Sequence, residues 1–153
     1  MGINLHAGQS EIYEDLFITK ICRYGVACCA RGYGKSFLAG VAGMTGVFEL
    51  LQLPADVPHK HVYIIAPTYD QVTDIYYPLI NYELGVEDIA IRSSKDTGRF
   101  FFDKGVELRL ISYEAIERMR GKGLHKALVK FRELLGYPPV SGQSAAKLDL
   151  GRP

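Results

Sequence analysis

The chain has 153 residues, 48% hydrophobic and 23% charged, with a formal net charge of +1. That length suits one domain with a single core, and the composition is that of an ordinary globular protein rather than a disordered or fibrous one. A near-neutral total gives no global electrostatic argument for nucleic acid or membrane, so any basic surface must be local. The cysteines, Cys22, Cys28 and Cys29, are odd in number, lack metal-ligand spacing and have no histidine beside them. They read as buried reduced thiols in a cytoplasmic protein. No apolar run reaches the roughly 18 residues of a membrane helix, and no signal-peptide pattern opens the chain.

Residues 11–20 follow Ser10, a plausible N-cap, and carry Ile12, Leu16 and Phe17 at helical spacing. Residues 24–30 form a first strand, whose run of small and apolar residues suits a strand buried on both faces of a parallel sheet. The strand feeds Arg31-Gly32-Tyr33-Gly34-Lys35-Ser36, after which residues 35–53 read as a helix closed by Pro54 and Pro58. Its glycines cost helix stability but allow close packing.

This order, strand then glycine turn then Gly-Lys-Ser at a helix start, is what a phosphate-binding loop requires. Successive backbone N–H groups converge on one point, the helix terminus adds partial positive charge and Lys35 adds a full one. Ser36 would offer its hydroxyl to Mg²⁺. The eight-residue pattern begins with glycine, and Cys29 holds that place here. The competing reading is an ordinary glycine loop before an ordinary helix.

Residues 61–66 form a second buried strand ending at Pro67-Thr68, and residues 70–83 a helix with Val72, Ile75, Tyr76, Leu79 and Ile80 on one side. Pro78 should kink it. Residues 89–92 are a short strand; residues 99–103 and 106–112 form a hairpin around Asp103-Lys104-Gly105. Residues 114–119 are a short helix leading to the basic glycine loop Arg120-Gly121-Lys122-Gly123. Ala127, Leu128, Phe131, Leu134 and Leu135 make an amphipathic helix over residues 125–135 that should pack on the sheet, stopped by Gly136 and Pro138-Pro139. Residues 141–153, poor in large apolar side chains, read as a disordered tail. The alternation of strands and helices says α/β with a mainly parallel sheet flanked by helices.

Together these features resemble the N-terminal ATPase domain of the large terminase subunit, the DNA-packaging motor of tailed bacteriophages. The resemblance is carried by Gln9 in the first helix and by the loop from Ala30 to Ser36, with its arginine. It continues through Ile64-Ile65-Ala66-Pro67-Thr68-Tyr69-Asp70-Gln71 and the hairpin followed by Arg120-Gly121-Lys122-Gly123. It spans about residues 5 to 123, and the arginine inside the phosphate loop is its most specific element. It implies a P-loop NTPase fold of the RecA-like class with a β-hairpin insertion, ATP and Mg²⁺ as cofactors, and the cytoplasm of a bacterial host as location. Double-stranded DNA, the portal and the small terminase subunit would be partners, with a homo-oligomeric ring as the assembly.

The resemblance also implies residue roles. Gln9 resembles the adenine-reading glutamine, with a plain surface position as the alternative. Lys35 and Ser36 resemble the phosphate lysine and the magnesium hydroxyl, and Gly32, Tyr33 and Gly34 the loop backbone around the phosphates. Arg31 resembles the arginine that touches the γ-phosphate within the subunit; the alternative is a solvated side chain. Arg120 resembles the arginine that reaches a neighbour's ATP, or else contacts DNA phosphates. His59, His61 and His125 receive no role.

The departure from the family is as informative as the match. In the family a hydrophobic strand ending in Asp-Glu follows the Arg-Gly loop; the aspartate helps hold Mg²⁺ and the glutamate activates the attacking water. Here no Asp-Glu pair follows an apolar run after Gly123, and Glu133 falls inside the expected helix. The expectation is therefore an incomplete terminase-like ATPase domain over 1–123, joined to a divergent segment over 124–153. It should bind nucleotide weakly at best and hydrolyse it negligibly. A vestigial or regulatory terminase fragment, and a helicase-like ATPase or nucleotide kinase of the P-loop class, are the alternatives.

Overall fold

The computed structural model describes residues 3–21, 24–119, 126–129 and 146–151. In chain order the elements are α1 (Ala7–Tyr13), β1 (Tyr24–Cys28), α2 (Lys35–Leu51), β2 (His61–Ala66), α3 (Tyr69–Pro78), β3 (Arg92–Ser94), β4 (Arg99–Phe101), β5 (Glu107–Ser112), β6 (Lys126–Val129) and β7 (Ala146–Gly151). The class is mixed α/β. The chain divides into two compact units, one of Met1–Leu38 with Pro138–Pro153 and one of Ala39–Tyr137. The boundary expected at residue 123 falls outside the described residues, as do Arg120 and the glycine loop around it.

In the first unit, helix α1 starts earlier than its apolar spacing suggests. His6 is the N-cap, its Nδ1 accepting from the Gln9 N–H at 3.3 Å while Gln9 Oε1 accepts from the His6 N–H at 3.1 Å. This reciprocal box satisfies two otherwise orphaned donors, so Ser10, the expected cap, lies inside the helix and donates to Leu5 O at 3.4 Å. After Tyr13 the coil widens into one π-helical turn, Glu14–Ile18. Ile12, Cys29 and Leu38 form the core of this unit, with Leu5, Tyr13, Leu16, Ala27 and Tyr33 packed around them.

Strand β1 corrects the expectation of a strand inside a parallel sheet, because it pairs antiparallel with β7, Cys28 opposite Ala146 and Val26 opposite Leu148. The same pairing corrects the expected disorder of residues 141–153 over its last part. Ala146-Lys147-Leu148-Asp149 alternates apolar and charged residues, a strand pattern too short to stand alone. An unpaired edge of β1 supplies the partner that makes it one.

The second unit is built on a five-stranded sheet of order β3-β4-β5-β2-β6. Strand β2 runs parallel to both β5 and β6, whereas β3–β4 and β4–β5 are antiparallel. The sheet is thus evenly mixed rather than mainly parallel, because the hairpin builds out one edge. Strand β6 replaces the first part of the helix expected over residues 125–135. One edge of β2 is taken by β5, and the bare N–H and C=O groups of its other edge pair with Lys126–Val129. Ladder formation there outweighs the helical spacing of the apolar residues.

Strand β2 is buried from Val62 to Ala66, as its unbroken apolar run requires. Val62 and Ile64 stand in register with Leu108 and Leu110 of β5, and all four are essentially inaccessible. On the opposite face Tyr63, Ile65 and Ile111 cluster beneath Ala115 and Ile116. Burial pushes the Tyr63 phenol up, with Arg109 partly opposing it. Helix α3 is capped by Thr68, whose hydroxyl accepts from Gln71 N at 3.2 Å. It buries Val72, Thr73, Tyr76 and Tyr77, while Ile75, expected on the same side, is exposed. Tyr77 stacks on Phe100 at 5.1 Å.

Pro78 marks the expected break. Without an N–H it cannot continue the α-helical ladder, and Leu79–Glu83 follows as a π-helical turn closed by Leu84 N to Leu79 O at 2.9 Å. The expected strand over residues 89–92 lies slightly later, at Arg92–Ser94, because a 3₁₀ turn occupies Val86–Asp88. The hairpin forms as expected around Asp103–Gly105, and Tyr113–Met119 is a short 3₁₀ helix. Glycine in α2 does permit a close approach: a methyl group on Gly40 would meet Leu79 Cδ2 at 3.0 Å.

Below the end of α2 lies Lys60, only 2% exposed, whose Nζ donates to Pro54 O at 2.6 Å and Lys104 O at 3.1 Å. Lys104 in turn donates to Leu51 O at 2.9 Å. Lys60→Met keeps the stem and leaves these carbonyls short of a donor, so it should cost about 2 kcal/mol of stability. Urea unfolding checks this; a loss below about 0.5 kcal/mol, the range of ordinary surface changes, would show the Lys60 contacts to be dispensable.

Candidate phosphate-binding loop

Strand β1 ends at Cys28, and the chain passes through Cys29 and Ala30 into a turn closed by Tyr33 N to Ala30 O at 3.3 Å. Helix α2 then opens at Lys35, with Leu38 N on Gly34 O at 3.0 Å. Gly32 and Gly34 have φ of 81° and 84°. This left-handed region penalises any residue with a Cβ, and alternating it with ordinary backbone folds the chain into a concavity lined by N–H groups. Among the described residues, the N–H groups of Gly32, Gly34 and Ser36 have no backbone acceptor. Those of Ser36 and Phe37 belong to the first turn of a 17-residue helix.

Lys35 folds back over the loop, its Nζ donating to Ala30 O at 2.9 Å and Cys29 O at 3.4 Å. A cation is thereby held beside the open N–H groups, without a carboxylate among these two partners. Ser36 sits half-buried in the first turn of α2, and Arg31 is exposed at the tip of the loop.

Cys29, in the place where the motif usually has glycine, is buried against Ile12 and Leu38 and anchors the loop to the core. Burial pushes its thiol up, with Lys35 partly opposing, so it remains protonated and unreactive at neutral pH. The substitution that weakens the sequence motif is therefore accommodated as packing.

Gln9 is 4% exposed, and its amide is engaged at both ends. Nε2 donates to Gly34 O at 3.1 Å, and Oε1 holds the His6 N–H. His6 carries the second hold: with Nδ1 accepting from Gln9, the other ring nitrogen carries the hydrogen and donates to Tyr33 O at 3.0 Å. Its ring meets the Tyr33 ring edge-on at 4.7 Å. The Tyr33 hydroxyl lies over Gly8, where a Cβ would collide with it, and a Cβ on Gly34 would collide with Gln9 Nε2.

The structure thus brings Gln9, Gly32, Tyr33, Gly34 and Lys35 into one cluster, with Ser36 beside them and Arg31 at the edge; Arg120 lies outside the described residues. Sequence reading missed His6 and Gly8. The available signal was the His6-x-x-Gln9 spacing, obscured because histidine is an uncommon N-cap.

These groups fit a polyphosphate: a concavity of N–H groups, a helix N-terminus and one ammonium-bearing side chain converge on it. A metal ion finds one candidate ligand, the Ser36 hydroxyl; no cluster of three or more acidic, His or Cys side chains suited to a metal exists among the described residues. A Mg²⁺ ion held here would have to draw its remaining ligands from phosphate and water.

No known family's sequence profile matches the chain, and neither does any curated protein. Among solved structures, the large terminase ATPase domain of Thermus phage P74-26 is similar at 25% sequence identity and a TM-score of 0.44. The match covers 67% of this chain and 45% of that one, so the chain spans under half the length of the structure it resembles. At that TM-score the likeness by itself assigns neither fold nor family, and the chemistry of the site rests on the loop and its neighbours.

Proposed function

We propose that the chain binds the phosphates of ATP·Mg²⁺ at residues 30–36, as the nucleotide-binding part of a terminase-like DNA-packaging ATPase. The observation that carries this reading is the pair of left-handed glycines, Gly32 and Gly34, leading into α2 with Lys35 Nζ held over the loop. Lys35 supplies charge to the phosphates, the loop N–H groups orient them, and Ser36 offers a hydroxyl to the metal. Bound Mg²⁺ would neutralise charge between phosphate oxygens. Arg31, at the exposed tip, reaches the outermost phosphate, and its presence inside a Gly-Lys-Ser loop is the sequence feature that favours terminases within the P-loop class. Arg120 acts on a neighbouring subunit's nucleotide or on DNA. Double-stranded DNA, portal and small terminase subunit are the partners in this reading, with a ring of copies as the working assembly.

The same reading makes the chain hydrolysis-deficient, since no Asp-Glu pair follows an apolar run after Gly123. A non-enzymatic terminase fragment is the second reading that this feature favours. Competition binding tests the main proposal: a fluorescent ATP analogue with Mg²⁺ should bind saturably and be displaced by ATP and by tripolyphosphate, whereas adenosine should not displace it. Displacement by adenosine alone would place the affinity on the base and sink the phosphate-loop reading.

A further inference from the structure

We infer that Gln9 and His6 are positioning residues that act on the phosphates through the loop, and that Gln9 does not select the base. This rests on the phosphate-loop reading above. A side chain that reads a base edge must present an unengaged donor and acceptor to it, since discrimination comes from polar groups the wrong base would leave unpaired. Gln9 spends one Nε2 hydrogen on Gly34 O and one Oε1 lone pair on the His6 N–H, and at 4% exposure it has almost no surface on which to offer the second of either to a base.

What those bonds do is fix two consecutive carbonyls of the loop. Gln9 holds Gly34 O and His6 holds Tyr33 O. The N–H groups of Gly34 and Lys35 belong to the same peptide units as those carbonyls. Pinning each oxygen therefore orients the N–H on its far side, because a peptide unit is planar. The capping box locks His6 and Gln9 to one another, so the first turn of α1 grips the loop as a unit. The Tyr33 hydroxyl packed over Gly8 closes the grip and leaves no room for a larger residue there. Such a clasp prepares the loop for any ligand with a polyphosphate chain, whatever base it carries.

Two substitutions separate the clasp from the helix cap. Gln9→Glu keeps an acceptor for the His6 N–H, since glutamate serves the capping box equally, but it cannot donate to Gly34 O as a carboxylate. His6→Asn keeps a strong N-cap but is too short to serve both Gln9 and Tyr33 O. The experiment is titration of the full chain and both variants with ATP·Mg²⁺ and with tripolyphosphate·Mg²⁺, a probe that has phosphates and no base. Thermal unfolding is followed in parallel, and where Gln9→Glu unfolds early, His6→Asn decides alone.

The expected result is that each variant weakens both probes by the same factor, about five- to tenfold for one lost hydrogen bond, while His6→Asn keeps the wild-type melting temperature. Loss of ATP affinity with tripolyphosphate binding unchanged would show a base contact and overturn the inference. Unchanged affinity for both probes would reduce the clasp to a structural contact and overturn it equally. Wild-type chain that binds neither probe would overturn the phosphate-loop reading itself, a result distinct from unequal losses in the variants.

Discussion

Lys35→Ala should weaken ATP·Mg²⁺ binding by about ten- to a hundredfold, the equivalent of one charge-assisted contact worth roughly 1.5–3 kcal/mol. Lys35 Nζ has carbonyl partners before any ligand arrives, at Ala30 O and Cys29 O. Binding therefore exchanges one set of hydrogen bonds for another. The exchange favours the phosphate because a full negative charge replaces neutral carbonyl dipoles. Alanine also removes the bridge that holds the two carbonyls of residues 29 and 30 together, so some of the loss comes from a looser loop. Lys35→Arg separates the two contributions, since it keeps charge but brings a planar fork in place of a compact head. Equilibrium titration with a fluorescent nucleotide measures all three proteins; equal affinity in wild type and Lys35→Ala would remove Lys35 from the site.

Hydrolysis should be absent. Purified chain, with or without double-stranded DNA, should turn over ATP no faster than its Lys35→Ala variant. Phosphoryl transfer depends on positioned charge around the transferred group and on a carboxylate beside the attacking water. The described residues offer the first in Lys35 and in the loop N–H groups. They do not gather acidic side chains into a metal-binding cluster. Glu133 belongs in this test. Its exclusion as a base rests on a helix over residues 125–135, and Lys126–Val129 is instead a strand parallel to β2, with Glu133 shortly after it in sequence. Lys35-dependent turnover at about 1 s⁻¹ or faster, the low end of ordinary enzyme rates, would contradict the deficiency. Its loss in Glu133→Gln would then name the base.

The parts of this molecule that sequence reading located are those whose information is local. Strand β2 was bounded correctly because its apolar run stops at Pro67. The hairpin is legible in the Asp103-Lys104-Gly105 turn, and the glycine turn that opens α2 in Gly32, Gly34 and the Gly34-Lys35-Ser36 run. The two largest misreadings are matters of which distant segment completes an edge. Residues 126–129 have apolar spacing compatible with a helix, and residues 146–151 have too little apolar surface to fold by themselves. Each becomes a strand by pairing with β2 or β1. A strand's partner is a property of the folded chain, which local periodicity does not encode.

In the site, the residues legible beforehand were those that a motif names. Gln9 was singled out, but its engagement with Gly34 O required the loop and α1 to be seen side by side. His6 went unnoticed because its value lies in using both ring nitrogens at once, toward Gln9 N and Tyr33 O, and only the three-dimensional arrangement shows it. Cys29 looked like a defect in the motif, and its burial beside Ile12 and Leu38 shows what it contributes instead.

Backbone amide resonances recorded during titration with ATP·Mg²⁺ test the central claim most directly, since a chain of 153 residues is within easy reach of such measurements. Binding at the loop predicts that the amides of Gly32, Gly34, Lys35 and Ser36 shift together with one saturation curve. Tripolyphosphate·Mg²⁺ should shift the same set, and Lys35→Ala should displace the curve to higher concentration. Saturable binding whose shifts leave residues 30–36 untouched would contradict the account.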